Sequence, residues 1–366
     1  MRTGRSRLRR FTLAICAVAI VSGIPASPAH AATGATAVAP GLDNPAAFTL
    51  APDGRIFYGE RLTGAVRIFS PANGTNTLLY TVTDLATSGE QGLLGVALDP
   101  NYPTEPFVYV YATRTVNNVT QNQILRITDR NGVGYLARSG VIYTAPAAVV
   151  HNGGRILFGP DGMLYAVTGD VQLPANSQNL GNTMGKVLRM SRFGLVPTDN
   201  PFPGSLIYAY GIRNSFGMAF DPVYGGLWET ENGPACNDEL NRVYRGLNYG
   251  WGPTQTCSTP PAAPMNTNRD GPSPVFPLAH YTPPPAVTGI AFCRACGLGS
   301  AVEGALLYGT FNTRQVRRVT LDRRRTGVAA EAIEYTHPDP ILSMERGPDG
   351  AVYFSDSSGI YKLVAS

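Results

Sequence analysis

The chain has no uninterrupted apolar run approaching the roughly 18 residues that a bilayer-spanning helix needs, so no membrane span is expected. The apolar stretch FTLAICAVAIVSGI at 11–24 is short and one-sided in its flanks. The basic MRTGRSRLRR precedes it, and SPAHAA follows with small residues at Ala29 and Ala31. That order is expected of an export signal over 1–31, followed by a short lead over 32–40. Arg9 and Arg10 form a twin-arginine pair, although Phe11-Thr12-Leu13 fits the folded-export context poorly; either route delivers the protein outside the cytoplasm.

Basic stripes are missing as well. The formal net charge of +4 includes five arginines of the signal and no acids from it, so the remaining chain carries 4 − 5 = −1. Beyond Arg317-Arg318 and Arg323-Arg324-Arg325 there is no cluster able to neutralise a nucleic-acid backbone, which excludes nucleic acid as an expected partner. Cysteine is sparse. Cys16 lies in the signal, which leaves Cys236, Cys257, Cys293 and Cys296 for an oxidising compartment, where disulfides are expected. Four cysteines permit three pairings, of which Cys236 with Cys257 and Cys293 with Cys296 is the one expected. A thiolate metal site or redox Cys-x-x-Cys is the alternative, but no strand-helix pattern surrounds Cys293 and no histidine is spaced to join it.

Helical periodicity is almost absent, and 41 glycines with 30 prolines suit strands and turns. What the chain has instead is a repeat. Pro-Asp-Gly followed by an apolar and aromatic run occurs in APDGRIFYGE at Pro52, GPDGMLYAVTGD at Pro160 and GPDGAVYFSD at Pro348. Weaker copies begin at Asp99 (LDPNYPTEPFVYVYAT) and Asp221 (FDPVYGGLWETENG). In each, turn residues separate two β-rich runs, the signature of a hairpin. The interval from Asp221 to Pro348 is about twice the others, and AVTGIAFCRACG with GALLYGTFNTRQVRRVTL supplies the missing copy within it. Six units predict an all-β fold: a six-bladed β-propeller of four-stranded antiparallel blades over 41–366. The Pro-rich segment 254–285 is expected as a long excursion between blades. Two tandem β domains are the alternative reading.

A propeller gathers the ends of its inner strands at one funnel, so polar residues there are the candidates for chemistry. His151 and Asp170 frame the hairpin HNGGRILFGPDGMLYAVTGD and should meet at one rim. A carboxylate beside an imidazole holds one tautomer and makes a better base. The plainer alternative is a histidine packed near a turn and an aspartate capping a loop. Arg213-Asn214 also falls at a blade end, where an arginine binds an anion, polarises a carbonyl oxygen or makes an inter-blade ion pair. Glu231-Asn232-Gly233-Pro234, with Asp238, Glu239 and Asn241, gathers oxygen ligands suited to calcium, or forms an acidic turn.

The stretches EQGLLGVALDPNY, HNGGRILFGPDGMLYAVTGD, GKVLRM, IYAYGIRNSFGMAFDP, LWETENGPACNDELN and NYGWG resemble, in order, the glucose/sorbosone dehydrogenase family, which includes soluble quinoprotein aldose dehydrogenases. The resemblance implies a propeller that carries pyrroloquinoline quinone (PQQ) over its channel, with calcium bridging PQQ to the protein. It implies a small sugar as substrate and an external electron acceptor. His151 then matches the general base, Asp170 its orienting carboxylate, Arg213 the residue that polarises the quinone carbonyl, and Asn214 its neighbour in the cofactor site. The backbone carbonyls of Gly233 and Pro234 match the calcium ligands.

The match departs from the family pattern at the cofactor clamp. PQQ is a tricarboxylate and needs cationic partners. Where quinoprotein members carry an Arg-x-Arg pair before the last Pro-Asp-Gly turn, DPILSMERGPDG places Pro340 and Leu342. At the family's lysine position Asn312 appears, with Arg314 two residues on as its expected replacement; Arg317 and Arg346 are further candidates. Glu90 stands where some members carry glutamine. PQQ binding requires a cation near Leu342. The expected function is an exported PQQ- and calcium-dependent dehydrogenase that oxidises the anomeric hydroxyl of an aldose to its lactone; non-redox binding of a carbohydrate or protein ligand, which needs no such cation, is the alternative. A calcium-dependent lactone hydrolase drawing on Glu90, Asp170 and Glu231 is the third expectation.

Overall fold

Every recurring turn closes a hairpin between the first and second strands of a blade. The computed structural model describes Met1, residues 33–258 and residues 261–366, so the export signal expected over 1–31 lies outside the described residues, Met1 apart. Blade 1 comprises Pro45–Leu50, Ile56–Glu60, Ala65–Ser70 and Thr75–Thr81; blade 2 comprises Leu93–Leu98, Phe107–Val116, Val119–Arg130 and Val133–Pro146. Blade 3 is Ile156–Phe158, Leu164–Thr168, Lys186–Met190 and Ile207–Tyr210, and blade 4 is Ser215–Phe220, Leu227–Glu231, Asp238–Val243 and Ala279–Tyr281. Blade 5 is Val287–Phe292, Leu306–Thr310, Gln315–Leu321 and Val328–Thr336. Blade 6 is Ser343–Arg346, Val352–Ser355, Gly359–Ala365 and, from the other end of the chain, Thr33–Pro40.

This last strand corrects the reading of 32–40 as a short lead ahead of a propeller that begins at 41. Thr33–Pro40 pairs antiparallel with Gly359–Ala365, from Thr33 opposite Ala365 to Pro40 opposite Gly359, and closes the ring. The segment 254–285 is likewise not an excursion between blades. It lies after the third strand of blade 4 and contains the fourth, Ala279–Tyr281. Both expected disulfides form: Cys236–Cys257, with Cα atoms 5.7 Å apart, and Cys293–Cys296, with Cα atoms 5.1 Å apart. No helix among the described residues is long and apolar enough to cross a membrane.

Each blade is apolar on both faces because neighbours cover both. In blade 2, Val108 and Val110 pack toward blade 1 while Tyr109 and Tyr111 pack toward blade 3, as the two-residue period of a strand dictates. Six such clusters, one per blade interface, form the core. The first strands touch one another in a closed ring around the channel. Gly217 and Gly289 permit this approach: a Cβ at Gly217 would overlap the Thr288 carbonyl oxygen, and one at Gly289 the Met344 amide nitrogen. The second and fourth strands end, and the first begin, at the same rim of the ring. That rim carries the residues singled out from the sequence.

Candidate active site

His151 is fixed by its backbone before its side chain acts. Its amide donates to Glu90 Oε2 at 2.7 Å and its carbonyl accepts from Val171 N at 3.1 Å. The residue sits at φ +62°, a left-handed conformation that turns the chain sharply into Asn152-Gly153-Gly154. Asn152 is buried and locks this turn, accepting from Asn122 Nδ2 at 3.0 Å and from Ala148 N at 3.1 Å.

The imidazole meets Asp170 as the hairpin predicted, with His151 Nδ1 2.7 Å from Asp170 Oδ1. Asp170 is fully buried. Its Oδ1 also accepts from Gln172 N at 2.8 Å, and its Oδ2 accepts from the indole Nε1 of Trp251 at 2.8 Å. A carboxylate ringed by donors acts as an acceptor only, so the network assigns the proton to His151 Nδ1 and leaves Nε2 as the basic nitrogen.

Arg213 stands beside this pair. Its carbonyl accepts from Asp170 N at 2.8 Å, its amide donates to Glu231 Oε1 at 2.6 Å, and one guanidinium nitrogen donates to Asn232 O at 2.8 Å. The guanidinium lies 5.4 Å from the Trp251 ring centre, a cation–π distance. Burial lowers its pKa, opposed by the charges of Asp170, Glu231 and Glu90. Its Nε is buried without a hydrogen-bond partner, which suits a site that receives an oxygen-bearing ligand. Asn214 ties the parts together: its Oδ1 accepts from Gly153 N at 3.1 Å and its Nδ2 donates to Glu90 Oε2 at 3.0 Å.

A cavity of about 530 Å³ opens beside these groups at the mouth of the channel, with Arg61, Glu90, Arg155, Asn232, Thr288, Phe311, Pro340 and Leu342 in its wall. Glu90 and Asn232 connect it to His151 and Arg213. Arg314 does not join it. That residue is exposed, at φ +56°, and its guanidinium donates to the Pro338 carbonyl at 2.8 Å.

Gly233 and Pro234 form a tight turn beyond Asn232. A Cβ at Gly233 would overlap the carbonyl oxygens of Cys236 and Asn237, and Gly233 N donates to Asp238 Oδ1 at 2.9 Å. Behind the turn lie buried carboxyls. Burial pushes Asp238 up to about 6, Glu229 to about 7 and Glu239 to about 8, and raises Glu231 well above the usual carboxylate range. Glu231 faces Glu239 across two strands. A turn with acceptor carbonyls in so acidic a setting suits a hard divalent cation.

Trp251, Arg61 and Arg155 were not singled out from the sequence. The indole stands inside NYGWG and Arg155 inside HNGGR, but a lone aromatic or arginine carries no pattern of its own.

The family model described as Glucose / Sorbosone dehydrogenase matches residues 42–364. Quinoprotein glucose dehydrogenase B of Acinetobacter calcoaceticus is 32% identical over 241 residues, 57% of this chain and 50% of that protein, so the match spans about half of that relative. The aldose sugar dehydrogenase YliI of Escherichia coli is 28% identical over 340 residues, covering 87% of this chain and 89% of the relative. The PQQ-bound structure of an aldose sugar dehydrogenase from Streptomyces coelicolor superposes with a TM-score of 0.77 at 29% identity, covering 92% of this chain and 99% of that one. The chain belongs to the glucose/sorbosone dehydrogenase family.

Proposed function

We propose that the protein is a PQQ- and calcium-dependent dehydrogenase that works outside the cytoplasm and oxidises the anomeric hydroxyl of an aldose to the lactone, passing the electrons to an external acceptor. The observation that carries this reading is the His151–Asp170 hydrogen bond, in which Asp170 holds the proton on Nδ1 and leaves Nε2 to act as base. PQQ, when bound, supplies the two-electron quinone that takes hydride from the anomeric carbon.

The chain's own groups do the rest. His151 Nε2 accepts the hydroxyl proton, and Asp170 stabilises the imidazolium that results. Arg213, half-buried and held over Trp251, offers its guanidinium to an oxygen on which negative charge develops. Asn214 keeps Glu90 and the His151 loop in register. The carbonyls of Gly233 and Pro234 would hold calcium.

The test is reconstitution of the chain lacking 1–31 with PQQ and calcium, followed by an aldose panel and an artificial acceptor. Sugar-dependent reduction with lactone formation is the expected result. No binding at high micromolar PQQ would reject it and favour the non-redox ligand-binding reading, to which the apolar Pro340 and Leu342 in the cavity wall already point.

A further inference from the structure

Pro340 and Leu342 leave the blade 6 side of the cavity without charge. A cation reaches the same place from another blade. Arg155 leads into the first strand of blade 3, is only 6% exposed, and stands in the cavity wall. Its Nε donates to the Phe216 carbonyl of blade 4 at 2.9 Å, and one terminal nitrogen lies 3.5 Å from both the Ala46 carbonyl of blade 1 and the Leu342 carbonyl of blade 6. The guanidinium therefore bridges the channel mouth below the cavity.

Its bonding is incomplete for a buried charge. The three acceptors are neutral carbonyls, two of them at the outer limit of a hydrogen bond. Burial works against its charge, and Glu345 deeper in the channel supports it only through space. Arg61, half-buried in the same wall, donates to the Gly89 and Gln91 carbonyls, both at 2.9 Å. Glu90 is the carboxylate of this wall, and its Oε2 is already taken by His151 N and Asn214 Nδ2. Thr288 Oγ1, also in the wall, is buried without a partner. The cavity thus holds two cations against one carboxylate, whose Oε2 is occupied, and a buried cation of this kind gains most from an anionic ligand.

We propose that Arg155 is the carboxylate anchor of this cavity, supplying from the channel floor the positive charge that Pro340 and Leu342 do not supply. The inference rests on the dehydrogenase reading, in that the carboxylate it receives belongs to PQQ.

Binding is measured without turnover, by calorimetry with PQQ and with its uncharged trimethyl ester in the presence of calcium. The wild type should prefer the acid. In Arg155→Met the acid should weaken by about 30-fold and the ester by no more than about threefold, in line with loss of one charge-assisted bond. Adding Leu342→Arg to that variant should restore most of the loss. Arg155→Lys keeps the charge but not the fork, and covers the case in which the methionine variant does not fold; its acid-to-ester ratio should also fall.

An unchanged ratio in a folded Arg155 variant would overturn the proposal while leaving the dehydrogenase reading intact. A wild type that binds neither compound would overturn both.

Discussion

Trp251 donates its indole N–H to Asp170 Oδ2 at 2.8 Å, and the same ring lies 5.4 Å below the guanidinium of Arg213. One buried side chain thus positions both the group that orients the base and the group that meets developing charge. Trp251→Phe keeps the ring and removes the donor. Loss of one hydrogen bond to a buried carboxylate costs about 1–3 kcal/mol. Turnover of the reconstituted enzyme should fall by about tenfold with KM little changed, and Trp251→Ala should fall further because Arg213 also loses its support. Steady-state kinetics on an aldose decide it, and a full rate in Trp251→Phe would remove Trp251 from the positioning of Asp170.

Asp170→Asn tests the tautomer. An asparagine amide turned toward His151 Nδ1 would donate there, moving the imidazole proton to Nε2 and abolishing the base. Turnover should drop by about 10³–10⁴-fold, the scale of the corresponding change in a Ser-His-Asp triad. PQQ binding should stay within about threefold, since Asp170 is not in the cavity wall. His151→Ala should behave alike. Retained turnover in either variant would reject His151 as the base.

The disulfide Cys236–Cys257 ties the Gly233-Pro234 turn to segment 254–285. Asn237 reinforces the tie, donating to Asn266 Oδ1 at 2.6 Å and to Thr267 Oγ1 at 2.9 Å. Replacing both cysteines with serine should cost about 3 kcal/mol, the loop-closure value for a crosslink of this span. It should also loosen the carbonyls proposed to hold calcium. Calorimetric titration should then show weaker calcium binding, and thermal unfolding a lower Tm. Chelation should stop turnover in the unaltered enzyme, with calcium restoring it. Undiminished calcium affinity in the serine variant would show that the turn holds its shape without the crosslink.

The propeller was legible because its repeat is local: a turn and two runs recur in each blade, and adjacent residues in a strand sort themselves to opposite interfaces. The His151–Asp170 pair was legible for the same reason, since one hairpin carries both. What escaped was non-local. Thr33–Pro40 closes the ring on a partner at the opposite end of the chain, and nothing in its short, Ala-rich pattern names that partner. Ala279–Tyr281 is three residues of strand at the end of a Pro-rich segment, too short for alternation to show. Sequence offset points to Arg314, yet its left-handed backbone directs it to Pro338, while Arg155 reaches Leu342 across the ring from blade 3.

Glu345 gives the channel a pH signature. It lines a smaller cavity of about 180 Å³ toward the turn side of the ring, where enclosure pushes its carboxyl up to about 7 against the pull of Arg155. Since the folded state holds this proton more tightly than the unfolded chain, the contribution to stability is full below the ordinary carboxylate range and is lost as pH rises through about 7. The loss is on the order of 3 kcal/mol. Glu345→Gln, which stays uncharged, should flatten the fall in stability between about pH 4.5 and 7, where this group titrates. Denaturant unfolding of the cofactor-free protein across that range measures it. Because Arg155 loses its through-space partner in this variant, the same protein should bind the PQQ acid at least as tightly as the wild type. A weaker acid affinity would mean that Glu345 holds the guanidinium in place rather than competing for it.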